Sequence, residues 1–388
     1  MEWSEPQKAI RDQFRRFMER ELAPLTPALE SGEQQPYPLM KKMIAELGLA
    51  VDADRSAQPS HVNPQSGPSD ARDPELSALL HFARTQLTIE ICRVNPGFAL
   101  SYGASVGLFA GNVRKLGSPE QVARWVPPVL RGDKVGCWCL TEPGAGSDAL
   151  RAMSTRARRD GDDYVLHGEK TFITNAPHAD FFLVYAKDDG DAVQAFLVER
   201  GAPGVATSKP FAKMGMRSSP TGSVFLDGVR VPRQNLLGGG LRDRGHVRGS
   251  LATERIGLSV MSYGIAERCF EIAVQYAKTR VQGGQAIAAH QLIQQRLARM
   301  YVAVANARRI VYDSRDVGVL DACAGKLYVG EVGTFVAMEA IHVLGGNGYM
   351  EEYVVERLAR DAKLVEIGGG TTEMQILTIA RHVLAQDG

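Results

Sequence analysis

Glu254 is the residue most out of place in its own element. Alternating steps of three and four from Leu251 give Leu251, Glu254, Leu258, Met261 and Ile265, so a carboxylate occupies the apolar stripe of a helix. Burial there is costly unless the group is paired or protonated, and desolvation raises its pKa. A carboxylate tuned in this way serves as a proton acceptor. A buried ion pair with an Arg of another helix, or a first-turn position favoured by the helix dipole, gives the same pattern. A second candidate is Leu140-Thr-Glu-Pro-Gly-Ala-Gly-Ser-Asp148, which follows an apparent strand and presents backbone N–H groups and hydroxyls. It is neither a P-loop nor a GxGxxG fingerprint, and taken alone it reads more simply as an elaborate turn. Leu344-Gly-Gly-Asn-Gly-Tyr349, the stretch from Arg360 to Glu373, and Arg280 with Gly283-Gly284 each interrupt a helical pattern. Taken singly, each reads as a helix end and a turn. No GxSxG, HExxH or Cys/His pair points to hydrolase or metal chemistry.

The elements that must position these residues change in texture along the chain. Helical spacing runs from Gln7 to Leu25, where Pro24 and Pro27 should end it, and again over 37–49, 75–115 and 119–130. Between them Val51 to Pro74 is rich in Ser, Pro, Asp and Gln and reads as a surface loop. From Gly136 short apolar or alternating runs lie between turn signals: 137–140, 163–166, 171–173, 181–186, 193–198, 223–226 and 229–231. The turn signals His167-Gly168, Asp188 to Asp191 and Asp227-Gly228 suggest hairpins. Long helical patterns return near Arg248 and reach Leu384. These patterns predict an α+β chain: an N-terminal helical domain (1–134), a central antiparallel β domain (135–240) and a C-terminal four-helix bundle (241–388).

Composition narrows the function classes. The chain has 388 residues, with 45 Lys and Arg against 44 Asp and Glu, a net charge of +1. That balance argues against nucleic acid or an anionic membrane as the main partner. The five cysteines, Cys92, Cys137, Cys139, Cys269 and Cys323, are scattered without a CxxC, as expected of buried thiols in a reducing compartment rather than of a metal site. The N-terminus lacks the apolar core of a signal peptide, and no apolar run is expected to reach the ~20 residues of a membrane span. The expectation is a soluble cytoplasmic protein.

Taken together, the motifs resemble the acyl-CoA dehydrogenase family. Cys139 to Asp148 resembles its flavin loop, and His167-Gly-Glu-Lys-Thr-Phe-Ile-Thr-Asn175 its second flavin segment. Lys213 to Ser218, Leu344 to Tyr353 and Arg360-Asp-Ala-Lys363 follow in the same order. The resemblance implies FAD as cofactor, an acyl-CoA substrate, a homotetramer, and an electron-transferring flavoprotein as electron acceptor. It places Trp138, Leu140, Thr141, Phe172 and Thr174 against the flavin ring and Ser147 near both flavin and CoA. Arg280, Gln282, Gln291, His342, Gly345 and Gly346 would reach the ADP half from a neighbouring subunit, and Thr371 and Glu373 would approach the pyrophosphate and adenosine. Gly283 stands where an aromatic is usual and His342 where Gln is usual.

The departure at the base is the most informative. Many members carry it as Glu in Tyr-Glu-Gly-Thr, where this chain has Gly368-Gly369-Gly370-Thr371. The isovaleryl-CoA dehydrogenase branch instead places its base on the bundle helix in Leu-x-x-Glu-Arg, matched here by Leu251-Ala-Thr-Glu254-Arg255. The resemblance therefore implies dehydrogenation of a branched or bulky acyl-CoA to the trans-2-enoyl-CoA, with Glu254 as base and Leu251, Arg255, Ser147, Gly368 and Gly370 near the substrate. It also suggests that a Glu placed at 369 can stand in for Glu254. Two alternatives stay open: a flavin oxidase, monooxygenase or thioester-modifying enzyme of the same fold, and a catalytically silent flavoprotein with a binding role.

Overall fold

The structure is a computed structural model that describes residues 3–50, 74–240, 245–314 and 317–385; the loop expected from Val51 lies outside them up to residue 73. Ser4 opens the first helix with a capping box, its hydroxyl accepting from Gln7 N–H while the Gln7 side chain accepts from Ser4 N–H. Helix α1 (Glu5–Phe17) passes through a π-helical turn (Met18–Leu22) into α2 (Ala23–Ser31). The two prolines do not stop it. Pro24 falls in the first turn of the resumed helix, where its missing N–H is not needed, and buried Leu22, Thr26 and Leu29 carry the helix past Pro27. It ends at Gly32, with φ +80°. The N-terminal part continues with α3 (Tyr37–Glu46), α4 (Pro74–Cys92), α5 (Pro96–Tyr102), a second π-helical segment (Gly103–Ala110), α6 (Gly111–Leu116) and α7 (Pro119–Leu130).

The central sheet runs in the order β1-β4-β2-β3-β7-β6, with β5 also on β4. Its strands are β1 (Gly136–Cys139), β2 (Arg156–Asp160), β3 (Asp163–Thr174), β4 (Phe181–Lys187), β5 (Val193–Glu199), β6 (Val205–Thr207) and β7 (Thr221–Val231). Pairing is mainly antiparallel, but β1 lies parallel to β4. The turn at Asp188 to Asp191 is a hairpin, as expected. The other two expected turns are not turns. His167-Gly168 and Asp227-Gly228 face each other as an irregularity within one long β3–β7 pair, where Gly168 and Gly228 take φ +150° and +67° and Gly228 N–H donates to His167 Nδ1 at 3.1 Å. Strand β2 escaped the sequence reading because Arg-Ala-Arg-Arg-Asp has a single apolar residue, Ala157, turned into the core.

The C-terminal helices are α8 (Gly245–Thr279), α9 (Gln291–Tyr312), α10 (Val319–Leu344), α11 (Val355–Ile367) and α12 (Thr372–Leu384). Between α8 and α9 a small hairpin, β8 (Val281–Gln282) with β9 (Gln285–Ala286), turns through Gly283 and Gly284 at φ +62° and +81°. Helix α10 is central, packed against α8, α9, α11 and α12. Contrary to the sequence expectation, α10 together with the 3-10 turn that follows it (Val319–Tyr349) is by length and composition apolar enough to cross a membrane, with half of that apolar window buried inside the protein.

The apolar cores differ in how the chain closes them. The sheet core, from Val135 to Leu236, is built within the β segment apart from a flanking Tyr37. The core beneath the N-terminal helices joins Phe14, Leu22, Met43, Ile91 and Phe98 to Met216, Leu258, Met261 and Val365 from far downstream. A third unites Phe109 and Trp125 with Leu183 and Leu197, and carries Val106, Trp138 and Leu251 on its edge. That edge brings strand β1 and helix α8 together.

Candidate active site

Glu254 lies on α8 one turn beyond Leu251 and faces the three-glycine turn that follows α11. A Cβ added at Gly369 would stand 3.4 Å from Glu254 Cδ, 3.5 Å from its Cγ and 2.6 Å from Leu258 Cδ1. Both the approach of α8 and φ +62° favour glycine here. Glu254 Oε2 is buried with no hydrogen-bond partner. Burial pushes its carboxyl up to about 7, against the opposing pull of Arg255 and Lys326. A carboxylate with a free, desolvated oxygen and a near-neutral pKa is equipped to accept a proton.

The turn itself is held from behind. Gly368 N–H donates to Leu364 O at 2.8 Å, and Gly370 O accepts from Lys326 Nζ at 2.5 Å and from the buried Gln375 Nε2 at 2.8 Å. Thr371 caps α12 by accepting from Met374 N–H, which sets Glu373 in the first turn. Arg255 is buried beside the turn, its Nη2 3.8 Å from a Cβ added at Gly370. Lys326 and Gln375 were not singled out from the sequence. The signal was there for Lys326, a charge on the apolar pattern of α10 like Glu254 on α8.

In the β segment, a buried ion pair shapes the Leu140–Asp148 loop. Glu142 accepts from Lys170 Nζ at 2.7 Å, from Ser154 N–H and Oγ at 2.6 Å, and from Thr155 N–H at 3.0 Å. Both side chains are buried. Although burial acts the other way, these donors together hold the Glu142 carboxyl down at about 2. Lys170 also donates to Leu140 O, and Thr171 N–H to Thr141 O at 2.9 Å, which ties the end of β1 to the bulge in β3. Phe172 on that bulge has φ +57° and 70% of its surface exposed, with Phe211 6.1 Å away. Trp138 packs edge-on against Tyr185 at 5.7 Å. Thr141 and Thr174 are half-buried, Ser147 is exposed, and the Leu140 side chain is buried, so that residue shapes the loop.

The remaining expected residues lie elsewhere. Arg280, Gln282, Gln291, His342, Gly345 and Gly346 are exposed around the far ends of α8 and α10. The 26 residues from Glu254 to Arg280 along α8 correspond to about 39 Å at 1.5 Å per residue. Among the described residues no group of three or more His, Cys, Asp or Glu is set to hold a metal ion. The five cysteines are free and buried.

Three family models cover most of the chain: acyl-CoA dehydrogenase N-terminal domain over 77–133, middle domain over 137–229 and C-terminal domain over 244–384. The chain belongs to the acyl-CoA dehydrogenase family. It is 37% identical to the mitochondrial isovaleryl-CoA dehydrogenase of Oryza sativa over 77% of this chain and 75% of that one. It is 34% identical to the mitochondrial short-chain specific acyl-CoA dehydrogenase of Mus musculus over 99% and 91%. An acyl-CoA dehydrogenase from Bacillus anthracis, solved with FAD, superposes with a TM-score of 0.88 at 31% identity, covering all of this chain and 68% of that one. The chain is accordingly an FAD-dependent oxidoreductase acting on acyl-CoA. The exposed aromatic Phe172, the neighbouring Thr141 and the open space at Gly144 and Gly146, where an added Cβ meets nothing within 4 Å, suit a planar, phosphate-bearing group.

Proposed function

We propose that the chain dehydrogenates a short, branched or bulky acyl-CoA thioester to its trans-2-enoyl-CoA with Glu254 as the catalytic base. The observation that carries this reading is the unpartnered, buried Glu254 Oε2 over a position 369 that has no side chain. FAD, when bound, supplies the hydride acceptor for the substrate Cβ. Glu254 removes the proton from Cα, and the fixed Gly369–Gly370 backbone beside it offers N–H groups to the thioester oxygen as enolate charge develops. Trp138, Thr141, Phe172 and Thr174 would hold the flavin ring, with Ser147, Thr371 and Glu373 toward the phosphates.

The separation along α8 supports a shared site. Arg280, Gln282, Gln291, His342, Gly345 and Gly346 stand too far from Glu254 to reach the same dinucleotide within one chain, so they would serve a neighbouring subunit's FAD in a homotetramer. An electron-transferring flavoprotein would take up the electrons. The branched-chain reading rests on Gly368, which carries no side chain where a bulky one would narrow the acyl pocket.

Anaerobic flavin reduction by isovaleryl-CoA and butyryl-CoA tests the assignment. Glu254→Gln keeps FAD and loses flavin reduction by ~10²-fold or more. In wild type the second-order rate falls as pH drops through about 7, because only the carboxylate accepts a proton. Full activity of Glu254→Gln, or an acid limb at the ordinary carboxylate pKa, refutes the base.

A further inference from the structure

Lys326 is 1% exposed on α10, a helix whose other buried positions are Ala, Cys, Gly, Val and Leu. Its ammonium donates to Gly370 O at 2.5 Å and to Glu366 O at 3.4 Å. Neutral carbonyls recover only part of the solvation that a buried ammonium loses, so such a group persists where negative charge faces it. Burial pulls Lys326 down to about 8, and the foremost opposing influence is Glu254 on α8. Arg255 on α8 acts with burial, whereas Glu366 on α11 and Glu373 on α12 act with Glu254. Glu366 is already engaged by Lys363 at 2.8 Å and by the Thr334 hydroxyl. Glu254 has no such partner: its Oε2 is unbonded, and Lys326 and Arg255 are the two cations that oppose its protonation. The same ammonium therefore touches the turn on which Glu254 rests and acts on the Glu254 charge.

We infer that Lys326 is a positioning residue for proton abstraction, fixing the Gly369–Gly370 backbone against Glu254 and supplying positive charge that favours its carboxylate form in a buried site. The inference deepens the reading of Glu254 as base and rests on it. A merely structural Lys326 would cap the end of α11 through Glu366 O and leave the ionisation of Glu254 alone.

Three substitutions separate these roles. Lys326→Gln keeps a donor for Gly370 O without the charge, Lys326→Met removes both, and Lys326→Arg keeps the charge. In the FAD-loaded protein, infrared difference titration follows the C=O stretch of the protonated Glu254 carboxyl, identified as the band missing from Glu254→Gln. Losing the cation makes the carboxylate harder to form, so the midpoint moves up by about one pH unit in the Gln and Met variants and returns toward wild type with Arg. The acid limb of flavin reduction by butyryl-CoA or isovaleryl-CoA moves with it, which slows reduction about fivefold at pH 7 and little at pH 9. If Lys326→Met fails to fold, Lys326→Gln carries the test. An unmoved midpoint in Lys326→Gln overturns the inference, even if the variant melts earlier. A Glu254→Gln protein that still reduces its flavin overturns the base assignment instead, and the infrared midpoint separates the two failures.

Discussion

Adding one methyl group at position 369 probes the centre of the site with little other change. Gly369 has φ +62°, a conformation that costs an L-residue about 1–2 kcal/mol. Its new Cβ would lie 2.6 Å from Leu258 Cδ1, about an ångström inside contact distance. Leu258 is buried among Met216, Met261 and Val365, so its methyl moves only by disturbing that core, at about 1–3 kcal/mol. The reduced freedom of the unfolded chain returns about 0.4–1 kcal/mol. Gly369→Ala is therefore expected to destabilise by roughly 1–5 kcal/mol, with the methyl in van der Waals contact with Glu254 Cδ at 3.4 Å. The assay is a double-mutant cycle with Leu258→Ala, read by thermal unfolding at fixed protein and FAD concentrations and by flavin reduction. Leu258→Ala leaves room for the new methyl, so the pair should be more stable than the sum of the singles predicts, by about 1–3 kcal/mol. A Gly369→Ala protein as stable as wild type, or strictly additive losses, refutes the steric account. The same geometry revises the expectation from sequence that Glu at 369 replaces Glu254: in a Glu254→Gln background, Gly369→Glu should restore activity only with Leu258→Ala.

Two further outcomes follow from the site's surroundings. Removing one partner of the buried Glu142–Lys170 pair, as in Lys170→Met, should cost about 3–5 kcal/mol and weaken FAD retention, checked by unfolding and flavin content. Because the Glu142 carboxyl is held down at about 2, its contribution is present above the ordinary carboxylate pKa and lost as pH falls toward 2; acid titration of Glu142→Gln should lack that loss. Gly368 has φ −73° and ψ 160°, and an added Cβ meets Leu364 O at 3.4 Å, so Gly368→Tyr is tolerated by the backbone. It should lower kcat/KM for isovaleryl-CoA relative to butyryl-CoA by roughly tenfold or more; an unchanged ratio refutes the pocket reading.

Glu254 was legible because a charge on an apolar stripe stands out at helical period, and the expected α+β order of elements was legible from the change of period at Gly136. The errors have local causes. His167-Gly168 and Asp227-Gly228 carry turn chemistry, but turn chemistry also makes a bulge, and only pairing across β3 and β7 distinguishes the two. Pro24 and Pro27 read as stops because a sequence does not display the π-helical turn that restarts the helix before them. Lys326 and Gln375 converge on Gly370 O from different helices, a meeting set by packing rather than spacing.

The division of the apolar cores has a consequence for biosynthesis. The β segment can close its sheet core once residues up to Leu236 have left the ribosome. The N-terminal helices emerge first yet cannot complete theirs, because Leu258, Met261 and Val365 arrive last. At about 5–20 residues per second, the interval between Phe98 and Val365 lasts on the order of tens of seconds. Through that interval Phe14, Leu22, Met43 and Ile91 lack their final cover, so the N-terminal helices wait on the far end of the chain before their core closes.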